Sequence, residues 1–308
     1  MTLAAPEAPL SSLTPDRLKA LLSAGRFGLK TGPFTFRIRS NEAIVAQNLA
    51  LLYGAHTVVD TPAFADFHVS IDRPASLRRW LSPQVYFRMD GYAPFYSLPA
   101  QQAFAMLEWG MNWCIASNAH QYLLLHAAVL AKDDQAIVMP AAPGSGKSTL
   151  CASLTLNGWR LLSDELAIID PQTREVHGLA RPVNLKNASI DVIQKRYPQA
   201  LMNAPIPDTK KGTVSHLCPP PSSAAQHQKP AHIRWIMTPR YNAALSCSPT
   251  ELAPRNALGL LIENAFNYDV LGENGFLAAS RIVSESRAFT LEYGNLDAAH
   301  AWIAEQLK

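Results

Sequence analysis

The stretch "VMPAAPGSGKSTL", residues 138–150, decides the reading of this chain. It ends in the Gly146-Lys147-Ser148 of a phosphate-binding loop, while Ala141 stands where the G-x-x-x-x-G-K-[ST] pattern begins with glycine. Pro143, Gly144, Ser145 and Gly146 let successive backbone amides turn inward around an anion. The helix that starts near Lys147 adds the positive end of its dipole. Lys147 can reach the outer phosphates of a nucleotide, Ser148 can complete a magnesium shell, and Thr149 follows on the first helical turn. Alanine at 141 adds one methyl ahead of the phosphate-contacting turn, which is tolerated where its φ is negative.

Such a match carries weight only between a strand and a helix, and the neighbouring residues supply both. "YLLLHAAVL" (122–130) and "QAIVMP" (135–140) are continuous apolar runs of the kind found in strands covered on both faces. "STLCASLTLNG" (148–158) has Leu150 and Leu154 one helical turn apart and Asn157-Gly158 to end it. "WRLLSDELAIID" (159–170) reads as a further strand, from which "PQTREVHGL" turns back.

Asp164 and Glu165 lie at the end of the apolar run "RLLS". Acids at a strand tip beside a phosphate loop are placed to hold magnesium, directly or through water. An adjacent pair allows a second role, one acid binding metal while the other accepts a proton from an attacking hydroxyl. His126 interrupts "LLLHAAVL"; on its own, a histidine in an apolar strand reads as a core residue before it reads as a catalytic one.

The rest of the composition narrows the field. The 308 residues are 48% hydrophobic and 17% charged, with a net charge of +3 and no block of Lys/Arg to follow a nucleic-acid backbone. A small ligand or a protein partner is expected, not nucleic acid. The longest apolar stretch, "YLLLHAAVLA", is too short for a membrane span. The opening "MTLAAPEAPLSS" lacks the basic start and apolar run of a secretory leader. Cys114, Cys151, Cys218 and Cys247 show no C-x-x-C spacing, so reduced cysteines in a cytoplasmic protein are expected.

Ahead of residue 119 the patterns predict a small mixed α+β region. A short helix over "PDRLKALLSAG" is followed by a strand "FTFRIRS", a helix "EAIVAQNLALLYG", and strands "DFHVSIDR" and "QVYFRMDG". "APFYSLP" is a third neighbour for those strands, and a long helix "AQQAFAMLEWGMNWCIASN" closes the region. No chemistry is evident there. Further on, Pro205, Pro207, Pro219, Pro220, Pro221 and Pro230 predict an irregular segment over 203–230. The end is regular again: a strand "IRWIMTPRY", helices near 255–265 and 273–283, a strand "AFTLEY" and a helix "LDAAHAWIAEQL".

Residues 124–169, "LLHAAVLAKDDQAIVMPAAPGSGKSTLCASLTLNGWRLLSDELAII", resemble the core of bacterial HPr kinase/phosphorylase, with strand histidine, phosphate loop and acidic pair in the same order. "ARPVNLKNASIDVI", "TKKGTVSHLCPP", "NAFNYDVLGENGF" and "LEYGNLDAA" resemble segments of the shorter branch called HprK-related kinase A. The likeness covers about residues 120–300. It implies an α/β fold with a P-loop kinase core of the HPr kinase type at 119–308, preceded by the small region 1–118. It implies ATP and Mg2+ as the nucleotide and metal, and a hydroxyl acceptor, a serine of a small protein or peptide.

By position, Gly144, Gly146, Lys147 and Ser148 would hold phosphates and metal, Asp164 would be the catalytic or metal-binding carboxylate, and His126 would lie near the transferred phosphate. Glu165 replaces the second aspartate of the parent family, which leaves the division of labour between the acids open. "TKKGTVSH" stands where a mobile loop is expected, with Lys210 and Lys211 to stabilise charge on the phosphoryl group. Arg181 and Lys186 are weaker candidates for that task. A homo-oligomer is compatible with this reading. The alternatives are a nucleotide-binding regulatory or scaffold module that transfers nothing, and a kinase of a small-molecule hydroxyl.

Overall fold

The computed structural model describes residues 7–74 and 83–306. Alternating burial builds its first sheet. In β3 (Phe34–Ser40) the alternate residues Phe36 and Ile38 turn inward while Arg37 and Arg39 face out, as the sequence pattern predicts. The sheet has seven strands in the order β1-β4-β2-β3-β5-β6-β7, with β1 at Glu7–Pro9, β2 at Phe27–Thr31, β4 at Thr57–Asp60, β5 at Phe67–Asp72, β6 at Gln84–Met89 and β7 at Leu98–Pro99. Sequence patterning finds β3, β5 and β6 but misses β1, β2 and β4, and "APFYSLP" contributes only the two residues of β7. Helices α1 (Pro15–Ser23), α2 (Ala43–Leu52) and α3 (Ala103–Asn118) cover one face.

The second sheet carries nine strands. Its first members are β8 (Leu123–Leu125), β9 (Ala127–Lys132), β10 (Gln135–Pro140), β11 (Arg160–Ser163), β12 (Ala167–Ile169) and β13 (Glu175–His177). The others are β17 (Ala231–Tyr241), β18 (Cys247–Glu251) and β19 (Arg287–Tyr293). Helix α4 (Lys147–Leu156) packs on one face with α5 (Ala188–Arg196) and α10 (Leu296–Gln306), burying Leu150, Leu154, Ile193 and Ile303. On the other face α7 (Pro254–Glu263) and α9 (Glu273–Glu285) bury Ala257, Leu261, Ala278 and Ile282, with α8 (Tyr268–Leu271) between them. The result is a mixed α/β architecture of helix, sheet and helix layers.

Two runs expected as unbroken strands are each broken in the middle. The run 122–130 splits at His126, whose amide leaves the ladder to donate to the Asn264 carbonyl at 2.7 Å. The run 159–170 splits after Ser163, whose hydroxyl accepts from the Leu166 amide at 3.1 Å and stabilises a turn at Asp164-Glu165. Both breaks leave the apolar residues on either side buried, so hydropathy alone cannot reveal them.

The segment 203–230 is also more regular than its prolines predict. β15 (Ile206–Thr209) and β16 (Gly212–Leu217) form a hairpin on β14 (Val183–Lys186), in the order β14-β16-β15, and α6 spans Pro221–Ala225. Pro207 lies in the edge strand, where a missing N–H breaks no ladder, and Pro221 occupies the first turn of α6.

The halves of the chain share one interface. The first hydrophobic core takes in Leu124, Leu166, Ile168 and Leu179 from beyond residue 119. At the β2–β3 turn Gly32, with φ +56°, donates to His227 Nδ1 at 2.9 Å; a Cβ there would stand 2.1 Å from the Gly178 carbonyl oxygen. His56 is 3.0 Å from the Ala180 carbonyl.

Candidate active site

One edge of the second sheet gathers the site. β10 runs parallel to β17, and β17 to β19, so Pro140, Tyr241 and Tyr293 all end at that edge. β9 runs antiparallel to β10 and pairs Ala127 with Pro140, which puts His126 there too. β11, antiparallel to β9, brings Ser163 and then Asp164 to the same side. Across the edge, the acids, His126, the phosphate-type loop and Tyr241 therefore follow one another.

In the loop, Gly144 and Gly146 take φ values of +83° and +88°. A Cβ at Gly146 would lie 2.6 Å from Tyr293 Oη, and that hydroxyl instead donates to the Gly146 carbonyl at 2.8 Å. Ala141 is buried with an ordinary negative φ, so its methyl disturbs nothing. Pro143 and Gly144 are exposed. The Ser145 amide closes a turn onto the Ala142 carbonyl at 3.3 Å. The amides of Gly144, Gly146, Ser148 and Thr149 have no protein acceptor among the described residues. Free amides at a helix start suit an anion such as a nucleotide phosphate.

Lys147 is buried, and its Nζ lies 3.1 Å from His126 Nε2. Burial lowers the lysine, against the pull of Asp164 and Glu165. Burial and then the Lys147 charge bring His126 down to about 4. His126 is thus neutral at neutral pH, and its Nε2 accepts from the ammonium.

The two acids differ in their surroundings. Asp164 is buried; its Oδ2 accepts from Ser148 Oγ at 3.2 Å and from the Asn184 amide at 3.1 Å, while its Oδ1 has no partner. Burial, then the charge of Glu165, push its carboxyl up to about 6. Glu165 has both oxygens engaged: Oε2 accepts from Asn112 Nδ2 at 2.7 Å and Oε1 from Asn184 Nδ2 at 3.2 Å, with Lys186 Nζ at 3.6 Å and Lys211 Nζ at 3.9 Å. Burial alone would raise it, but Lys211 and Lys186 hold it down at about 2. Environment thus answers what the pairing leaves open: Asp164 has the free oxygen, and Glu165 is the anchored anion.

Lys211 also sits 5.2 Å from the centre of the Trp109 ring, whereas Lys210 is exposed and forms no ion pair among the described residues. Arg181 is committed elsewhere. Buried, it binds the Glu108 carboxylate and carbonyl at 2.7 Å each and Asn112 Oδ1 at 2.7 Å, and its charge is locked in by Glu108. Behind the acids is a cavity of about 20 Å³, room for one water, bordered by Glu108, Asn112, Asn184 and His216.

The functional residues that sequence reasoning missed come mainly from α3. Glu108, Trp109 and Asn112 all reach the site, and their only signal is a pair of polar side chains one turn apart in an apolar helix. Asn184, Tyr241 and Tyr293 carried no signal at all.

Among the described residues no group of three or more His, Cys, Asp or Glu could hold a metal. Ser148 with Asp164 Oδ1 is nonetheless a hard-oxygen pair of the kind magnesium takes when phosphate oxygens and water complete its shell. Among the described residues no helix is long and apolar enough to cross a membrane. Comparison with protein-family models and with curated proteins finds no match.

Proposed function

We propose that this protein is an ATP-dependent phosphotransferase of the HPr kinase type, which phosphorylates a hydroxyl, a serine of a small protein or peptide. The observation that carries the reading is Asp164, buried, hydrogen-bonded to Ser148 and left with one unpaired oxygen beside a loop of unpartnered amides. The fold type and the serine acceptor rest on the resemblance of residues 120–300.

ATP would lie with its phosphates on the amides of Gly144, Gly146, Ser148 and Thr149, its negative charge met by Lys147. Magnesium, when bound with the nucleotide, would be held by the Ser148 hydroxyl and the phosphate oxygens beside Asp164 and would neutralise charge on the transferring group, leaving Asp164 Oδ1 free for the proton. Asp164 accepts the proton of the acceptor O–H as the hydroxyl oxygen attacks the terminal phosphorus; the phosphoryl group passes to that oxygen and ADP leaves with the bridging oxygen's electrons. Neutral His126 orients Lys147, and Glu165 with Lys186 and Lys211 fixes the charge around the acceptor side.

The test is incubation with ATP, magnesium and the peptides or small proteins encoded beside this one, read by mass spectrometry for a phosphorylated serine. ATP binding with no transfer to any candidate, protein or small-molecule, supports the second reading, a nucleotide-binding module. That reading is favoured by one observation: Glu165 is fully engaged, so only one acid is free for chemistry.

A further inference from the structure

We propose that the exposed ring of Tyr241 is the surface on which the base of the nucleotide stacks; this rests on the phosphate loop binding a nucleotide. Order along the sheet edge sets the direction of the ligand. The acids and His126 end β11 and precede β9 on one side of β10, and Tyr241 ends β17 on the other. Neighbouring strands lie roughly 4.8 Å apart, so the ring is one strand spacing from the loop, on the side away from Asp164. A triphosphate with its reacting end at Asp164 and Lys147 therefore extends its nucleoside toward Tyr241.

The ring is built into the loop. The Tyr241 amide donates to the Ser145 carbonyl at 2.8 Å. Its ring meets Tyr293 edge to face at 6.0 Å, and the buried Tyr293 in turn holds Gly146. Yet Tyr241 is 58% exposed. An aromatic anchored through its backbone, with open area beside a phosphate loop, matches a stacking platform, which accepts any base because every base offers a π-face. The ligand class is a purine or pyrimidine nucleoside triphosphate, with no selection between bases by the ring itself.

Calorimetry with ATP and with inorganic tripolyphosphate tests this. Tyr241→Ala is expected to weaken ATP binding about 5- to 150-fold, the range for loss of one base–aromatic stack, and to leave tripolyphosphate binding unchanged. Tyr241→Phe should bind ATP like the parent, and Lys147→Ala should lose both ligands. The Ser145 contact uses the Tyr241 backbone, so the alanine variant keeps the loop's anchor. Equal ATP affinity in Tyr241→Ala and the parent overturns the proposal, as does equal loss of both ligands. If the parent binds neither ligand, the phosphate-loop reading fails and this proposal with it; tripolyphosphate binding with no preference for ATP overturns the stacking alone.

Discussion

Asn112, on the last helix of the N-terminal region, donates a 2.7 Å hydrogen bond to Glu165, the second acid of the candidate site. The other end of the same amide accepts from Arg181, which Glu108 holds from one turn earlier on the helix. A region that reads as devoid of chemistry thus orients a carboxylate in the opposite half of the chain. Replacing Asn112 with Leu should lower stability by about 1–3 kcal/mol, because a charged acceptor loses its donor. Phosphotransfer should fall about tenfold or more while ATP affinity stays near that of the parent, since the loop is untouched. Urea melts and single-turnover assays measure the two effects; unchanged transfer would make Asn112 purely a packing residue.

Asp164→Asn should separate activity from stability. The folded carboxyl titrates near 6 against an ordinary value of 3.8, so its contribution favours folding at low pH and is lost as pH rises through 6. At pH 7 the ionised group costs about 3 kcal/mol. The amide removes most of that cost, so the variant should melt higher at pH 7 than the parent, with the advantage gone near pH 4. Its phosphotransfer should drop by orders of magnitude. A variant that is both less stable at pH 7 and fully active would overturn the assignment.

His56 predicts acid lability outside the site. Burial, then the neighbouring His227, lower it from 6.5 to about 3. The unfolded chain takes up this proton below 6.5 and the folded chain does not, so stability is complete above 6.5 and declines as pH falls toward 3. His56→Gln, which keeps a donor for the Ala180 carbonyl, should therefore lose about 2 kcal/mol less than the parent between pH 7 and pH 5. Parallel urea midpoints at the two pH values in both proteins would refute this.

The two lysines of the β15–β16 turn should differ. Lys211 reaches Glu165 and Trp109, whereas Lys210 points to solvent. Lys211→Ala should slow transfer several-fold with little effect on ATP affinity, and Lys210→Ala should behave as the parent. Hydrogen exchange should find the amides of β16 that pair with β14 protected before any nucleotide is added. Equal effects of the two substitutions would return the turn to a generic patch of charge.

The loop at 141–149, the helix after it and the strand before it were legible from spacing, because glycine placement and apolar periodicity are local properties. So were β3, β17, β19 and the C-terminal helices, whose boundaries follow their periodic patterns within a few residues. The acids and His126 could be singled out by type and order, but not their states. Tertiary structure alone decided those. Two apolar runs break at the site residues because the distant Asn264 carbonyl takes the His126 amide and the Ser163 hydroxyl takes the Leu166 amide three residues on. Pro207 is accommodated because its strand is an edge. Asp164 and Glu165, adjacent in sequence, diverge because one turns into a buried corner with an unpaired oxygen and the other meets Asn112, Lys186 and Lys211 from three distant segments. Charge, burial and hydrogen-bond supply at a point in space depend on everything packed around it, and no local reading of the chain contains that sum.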